Sequence, residues 1–147
     1  MYMDIKVRQL TAATQDVLNK INYLLPTLSE GIQSLTFDKF TEILNSGNTT
    51  IFVAEENGEI VGMMTFVTYR IPSGPKAWIE DVVVDKSKQG KGIGKALIEK
   101  AIDYAGKLNI SKVDLTTAPF RIAANALYQK IGFKKRDTNV YRLLLIS

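Results

Sequence analysis

The sequence predicts a mixed β-sheet flanked by helices, in the α/β or α+β class, and three observations carry that prediction. Segments of strand-like alternation and of helical spacing follow one another in the order β-α-α-β-β-β-α-β-α-β. The run Glu56-Asn57-Gly58-Glu59 joins two apolar strands through the Asn-Gly pair that a two-residue hairpin favours. A further strand runs into Gly90-Lys91-Gly92-Ile93-Gly94, a glycine-rich turn that opens a helix. With 147 residues the chain has the length of one domain. A domain of that size buries about 68–70% of its unfolded surface, enough for a full core.

The first strand is expected over Asp4–Leu10, with Ile5, Val7 and Leu10 as its apolar positions. Val17, Leu18, Ile21, Leu24 and Leu25 fall at helical spacing between Thr14 and Leu25, and Pro26 ends that helix. Thr36 is a good N-cap for a second helix, which carries Phe37, Phe40, Ile43 and Leu44 on one face and stops before Gly47. Ile51–Glu55 and Ile60–Tyr69 are the hairpin strands. Pro72-Ser73-Gly74-Pro75 reads as a loop, and Ala77–Val84 as a strong strand. After the polar loop Asp85–Gln89, the next helix places Ile93, Ala96, Leu97, Ala101, Ile102 and Ala105 on one face. Lys112–Leu115 is a short strand, Ala123–Ile131 a helix with Gly132 as its C-cap, and Tyr141–Ile146 a last strand.

Composition narrows the chemistry. Hydrophobic residues make up 46% and charged residues 23%, the balance of a globular protein. Cysteine and histidine are both absent. That excludes a disulfide framework, a cysteine nucleophile, a Ser-His-Asp triad, a His-bearing zinc site and an iron–sulfur cluster. Acid–base work falls to Asp, Glu, Tyr, Lys, backbone groups or water, and no metal is expected. The apolar runs are far shorter than a membrane span, and Met1–Leu10 has an acid at Asp4 and no apolar core, so a cytoplasmic protein is expected.

Charge is unevenly placed. Residues 1–85 carry 6 Lys/Arg against 11 Asp/Glu, whereas residues 86–136 carry 12 against 3. Such a basic stretch suits an anionic partner, a nucleic acid or a polyphosphate, although solvated lysines on helix faces explain it as readily. The glycine loop sits inside it. A helix N-terminus with free N–H groups binds anions, and glycines let a ligand approach the backbone. A Walker A loop would need Ser or Thr where Ala96 follows Gly94-Lys95. A dinucleotide fingerprint would need G-x-G-x-x-G, one residue longer than Gly90, Gly92 and Gly94 allow, although Asp114 falls where a ribose-binding acid would sit.

Gln89-x-x-Gly92-x-Gly94 fits a third pattern, the [Q/R]-x-x-G-x-[G/A] loop of the GNAT superfamily of N-acetyltransferases. Asn125-Ala126-Leu127-Tyr128-Gln129-Lys130-Ile131-Gly132-Phe133 resembles that superfamily's second signature, and the order of elements between and before the two agrees. The resemblance covers essentially the whole chain. It implies a central, mostly antiparallel sheet flanked by helices, and transfer of an acetyl group from acetyl-CoA to an amine by direct attack in a ternary complex. The backbone of Val82, Val83 and Val84 would pair with the pantetheine arm. The N–H groups of Gly90, Lys91, Gly92, Ile93, Gly94 and Lys95, next to Gln89, would hold the pyrophosphate. Arg121 stands where the superfamily commonly has a cofactor-contacting Asn, and Asn125 is a nearby substitute. Tyr128 would be the general acid for the departing thiolate.

The segment Ile79-Glu80-Asp81 is similar to the L-E-D of diamine acetyltransferases, which favours Glu80 over Asp81 as the group that receives the amine proton. Strand neighbours point to opposite faces, so only one of the two is expected to face a given cleft. Two plain alternatives are solvated strand carboxylates and a packing tyrosine. The acceptor, a small-molecule or peptide amine, should meet the first two helices, the loop Pro26–Leu35 and Tyr69–Lys76. A non-catalytic CoA-binding sensor is the main alternative. A nucleic-acid module using Lys86–Lys112 is disfavoured, because exposed aromatics are not interleaved with the lysines. No membrane partner is expected, and a homodimer is a candidate assembly.

Overall fold

A computed structural model describes residues 4–146. The chain divides into two compact units after Thr116. The first contains β1 (Ile5–Gln9), α1 (Gln15–Leu24), α2 (Phe37–Asn45), β2 (Thr49–Glu56), β3 (Glu59–Ile71), β4 (Gly74–Val84), α3 (Ile93–Lys107) and β5 (Asp114–Leu115). The second contains α4 (Ile122–Ile131).

The sheet has the order β1-β2-β3-β4-β5, antiparallel from β1 to β4 and parallel between β4 and β5. The helix starts follow the expected chemistry. Thr14 and Thr36 cap α1 and α2, their hydroxyls accepting the N–H of Val17 and of Lys39 at 3.3 Å each. Leu25–Thr27 continues α1 as a single 3-10 turn around Pro26. Asn22 then fixes the loop beyond it, its amide accepting the Leu35 N–H at 2.7 Å and donating to the Leu35 carbonyl at 3.0 Å.

Alternation along the strands sorts the core into two layers. Ile51, Val53, Met63 and Val83 pack with Leu18, Ile21 and Leu24 of α1 and Phe40 of α2. On the other face Tyr104 of α3 meets the rings of Phe52 and Phe66 edge-on, with centroids 5.2 and 5.3 Å away. Buried Ile93, Leu97, Ile98, Ala101 and Ala105 complete that layer. Gly62 on β3 is the point of closest approach. A Cβ there would lie 3.0 Å from the Val83 carbonyl oxygen, 3.1 Å from Ile93 Cγ2 and 3.3 Å from Leu97 Cδ1. Gly62→Ala should therefore destabilise the fold by about 1–3 kcal/mol, as overpacking does. Urea unfolding would measure it, and an unchanged midpoint would mean that α3 yields without cost.

Three expectations need correction. The loop at Pro72–Pro75 is a tight turn, because β3 and β4 pair as far as Ile71↔Gly74. Pro75 is tolerated within that ladder because β5 reaches only Trp78 and Ile79, leaving the outer edge of β4 at Pro75 unpaired among the described residues. The strand expected over Lys112–Leu115 shrinks to Asp114–Leu115. The last strand, Tyr141–Ile146, does not form: those residues are irregular, and Tyr141, Leu143, Leu144, Leu145 and Ile146 are exposed. Strand propensity needs a ladder partner, and no described strand pairs with this segment.

Candidate active site

The site begins with an irregularity in β4. Thr65 pairs with Glu80 and Met63 with Val83, so two residues, Asp81 and Val82, stand opposite Met64 alone. That is a β-bulge, and its Asp81 takes φ +50, a conformation uncommon for a residue with a Cβ. The bulge changes which side chains share a face. Glu80 and Val83 are three residues apart, which in a regular strand means opposite faces. With the extra residue both lie on the face that α1 and α2 cover in part. The alternation argument for choosing between Glu80 and Asp81 thus fails locally, and both are exposed.

Their electrostatics suit proton transfer. Protein surrounding the Glu80 carboxyl pushes its pKa up, and the Asp81 charge adds to the rise. The Asp81 pKa is also raised by burial. Both carboxyls keep a water-accessible surface, so the effect is one of partial desolvation.

Beyond the bulge, β4 has an open edge. Its pairing with β5 is confined to Trp78↔Asp114 and Ile79↔Leu115. From Glu80 to Val84 the outer edge has no strand partner among the described residues. Val83 is buried in the core, while Val82 and Val84 are half-buried. An extended polar chain could add to this edge by backbone hydrogen bonds.

The strand then feeds the glycine loop. Asp85 is buried; its carboxylate accepts from the Ser87 N–H at 3.1 Å and the Ser87 hydroxyl at 3.0 Å, capping the short turn Lys86–Lys88. Lys88 donates to Glu56 at 2.8 Å, which raises its pKa and ties the turn to the end of β2. Gln89 reaches the Val84 carbonyl at 3.4 Å. Gly90 and Gly92 take φ +79 and +85, and Gly92 is the residue at which α3 begins. Space is not the reason for these glycines, since a Cβ at either would meet nothing within 4 Å. The left-handed backbone is the reason.

Unlike α1 and α2, α3 has no side-chain cap and no acid in its first turn. Its leading N–H groups are therefore available to an anion. Lys91 and Lys95 are exposed, and Lys95 has only a loose 3.6 Å ion pair with Glu99. Beside the end of β4 lies a recess of about 220 Å³, lined by Tyr23, Pro26, Thr27, Asp85 and Lys86. The segment after α1 thus borders the end of β4.

Tyr128, Arg121 and Asn125 belong to the second unit. Tyr128 lies on α4, its ring edge-on to Phe133 at 5.9 Å, and its carbonyl accepts the N–H groups of Gly132 and Phe133. Burial raises the phenol pKa, opposed by the charge of Arg121. The Asn125 amide donates to the Ala118 carbonyl at 3.0 Å and the Arg121 carbonyl at 2.8 Å, so its nitrogen is engaged in shaping the turn before α4. Among the described residues no acidic cluster could hold a metal ion, and no helix is long and apolar enough to cross a membrane. The bulge and the Glu56–Lys88 tie escaped the sequence reading. Only the paired acids in Ala54-Glu55-Glu56 hinted at the second, and nothing marked the first.

Comparison with known proteins identifies the family and the fold. The family model for the acetyltransferase (GNAT) family matches residues 19–133. N-acetyltransferase family 8 member 3 of Mus musculus is 32% identical over 103 residues, 69% of this chain and 46% of that protein. The L-2,4-diaminobutyric acid acetyltransferase of Marinococcus halophilus is 29% identical over 140 residues, 86% of this chain and 79% of its own. An aminoglycoside N-acetyltransferase solved in complex with CoA shares the fold, with a TM-score of 0.78 at 18% identity over 99% of this chain and 98% of its own. The chain spans about half the length of the family 8 relatives it matches. A central strand that bulges at Asp81, opens its outer edge and runs into an uncapped glycine-opened helix is the arrangement in which the sequence motifs and the family match meet: the chain belongs to the GNAT acetyltransferase family.

Proposed function

We propose that the protein moves the acetyl group of acetyl-CoA to a primary amine of a small molecule or peptide by direct attack, with residues 1–147 acting as one catalytic domain. The observation that carries this reading is the run from the open edge of Glu80–Val84 into the uncapped start of α3. The family match crosses the boundary between the two units, which supports a single domain. The relative that acts on diaminobutyric acid supports a small-molecule acceptor.

In this mechanism the backbone of Val82, Val83 and Val84 binds the pantetheine amides as an added strand would. The N–H groups from Gly90 to Lys95 hold the pyrophosphate, with Lys91 and Lys95 as counter-charges and Gln89 positioning the entry to the loop. Arg121 and the Asn125 side-chain oxygen are the contacts assigned to the second unit. Glu80, directly or through water, takes the proton of the attacking amine as the N–C bond forms. Tyr128 gives its proton to sulfur as the C–S bond breaks, and solvent restores both groups. Alignment of amine and thioester can supply roughly 7–11 kcal/mol of the barrier reduction.

Thiol release from acetyl-CoA across a panel of amines tests the reaction, and binding without release would leave a CoA sensor. Binding has its own test. Acetyl-CoA at about 100 times its Kd should stabilise the fold by roughly 2.7 kcal/mol. Gly92→Val should abolish that gain, because a side chain at φ +85 strains the loop and covers the phosphate seat. Normal acetyl-CoA binding by Gly92→Val, measured by thermal shift, would refute the loop assignment.

A further inference from the structure

The face of the sheet that carries Glu80 is only half covered. α1 and α2 bury it at Ile51, Val53, Met63 and Val83, and their cover stops there. Toward the β3–β4 turn, the cross-strand pairs Thr65↔Glu80, Val67↔Trp78 and Tyr69↔Lys76 continue the same face. None of these six residues is buried. Trp78 is the chain's single tryptophan, and its indole N–H donates to the Tyr69 hydroxyl at 3.1 Å. That bond holds the edge of the indole and fixes an aromatic platform on an open sheet face.

Asp114 is the register partner of Trp78 on the other side, and parallel partners share a face. The ring is therefore flanked by Glu80 two residues along its own strand and by Asp114 on the neighbouring strand. Asp114 and Glu80 enter no ion pair among the described residues. The ribose role that its spacing suggested for Asp114 does not fit this position. Trp78 stands six residues before Val84, about 20 Å along the strand from the end of β4 that leads to the glycine loop. Lys76, two residues from Trp78 toward the turn, places a positive charge at the far end of the row.

We propose that Trp78, oriented by Tyr69 and flanked by Asp114, is the specificity-determining residue for the acceptor, and that the acceptor is a short diamine whose second ammonium rests on the Trp78 ring. This rests on the acetyltransferase reading, with the reacting nitrogen at Glu80. Aromatic faces attract cations, and the Asp114 carboxylate supplies the opposite charge beside the ring. The spacing fixes the length. Glu80 and Trp78 are two positions apart on the strand, about 7 Å, which suits ammonium groups separated by roughly four methylenes. Lys76 lies about 7 Å further on and repels a third cation, so the row favours a diamine over a longer polyamine.

The probes are 1,4-diaminobutane and pentylamine, which match in length and differ by one terminal charge. With the wild-type chain, KM for the diamine should be at least ten-fold below that for pentylamine. Trp78→Leu should bring the ratio to within about two-fold, the change falling on KM of the diamine; Trp78→Phe, which keeps an aromatic face, should restore part of it. Asp114→Asn should lower the ratio as well, and as a near-isosteric change at a half-buried position it tests the inference even if Trp78→Leu fails to fold. A wild-type chain that treats the two amines alike, or an Asp114→Asn and Trp78→Phe pair that leave the ratio untouched, overturns the proposal. Calorimetric binding of 1,4-diaminobutane to the wild type and to Asp114→Asn separates this from the reaction itself. Diamine binding lost on substitution, without thiol release from any amine, upholds the cation platform and refutes the transferase reading. Thiol release with pentylamine and no diamine binding does the reverse.

Discussion

Replacing Glu80 by glutamine should lower turnover by about 10²–10⁴-fold at neutral pH, the range that general bases contribute. Glutamine keeps the shape and the place on β4 and removes only the ability to take a proton. The pKa of Glu80 is raised by burial and by Asp81, which makes it a stronger base than an ordinary surface carboxylate. Wild-type kcat/KM should accordingly climb with pH as Glu80 ionises, with a midpoint above the usual 4.5. Glu80→Gln should lose that limb, and its deficit should shrink at alkaline pH, where more of the acceptor amine is already neutral. Stability moves the other way. A carboxyl whose folded pKa is raised stabilises the fold below its unfolded pKa, and that contribution disappears as pH rises through the folded pKa. At pH 7 the glutamine chain should therefore melt no lower than the wild type. A deficit that is the same at every pH would make Glu80 a positioning group, and full activity would return it to the solvated surface.

The order of elements was legible because it rests on periodicity and end chemistry that the residues carry locally. Thr36 caps the helix it was expected to cap, Thr14 does the same for α1, and Asn57-Gly58 turns the hairpin at φ +52 and +81. The misreadings share another cause. Whether Pro72–Pro75 is loop or ladder depends on how far β3 and β4 pair, and whether Tyr141–Ile146 is a strand depends on a partner. Both are non-local facts, which residue type does not encode.

The same division holds within the site. The glycine loop was readable because a left-handed backbone demands glycine, as Gly90 and Gly92 show. The bulge was not, because Asp81 is an ordinary residue held at φ +50 by the pairing of its neighbours with β3. That single inserted residue decides that Glu80 joins the Val83 face, and the face in turn sets Glu80 beside Trp78 and Asp114. A one-residue shift in register exchanges every facing side chain, so site geometry is more sensitive to register than fold class is.

Tyr128→Phe should cost turnover about 10²-fold or more while leaving the fold nearly intact. The ring and its edge-on contact with Phe133 remain, and the carbonyl that closes the end of α4 onto Gly132 and Phe133 is untouched. Loss of the hydroxyl alone should change stability by no more than about 0.5–1.5 kcal/mol, the worth of one ordinary hydrogen bond. Burial lifts the phenol pKa further above neutrality, so the group stays protonated and ready to donate throughout the physiological range. Wild-type activity should accordingly fall only at strongly alkaline pH, where the phenol ionises, and the phenylalanine chain should lack that descending limb. The departing thiolate needs the proton most as the C–S bond breaks, so the loss should appear in kcat, with acetyl-CoA affinity within a few-fold because the glycine loop holds the phosphates. Turnover, affinity and melting temperature measured on this one variant separate the roles. A large drop in melting temperature with normal turnover per folded molecule would make Tyr128 a packing residue of α4, and the proton for sulfur would then have to come from water.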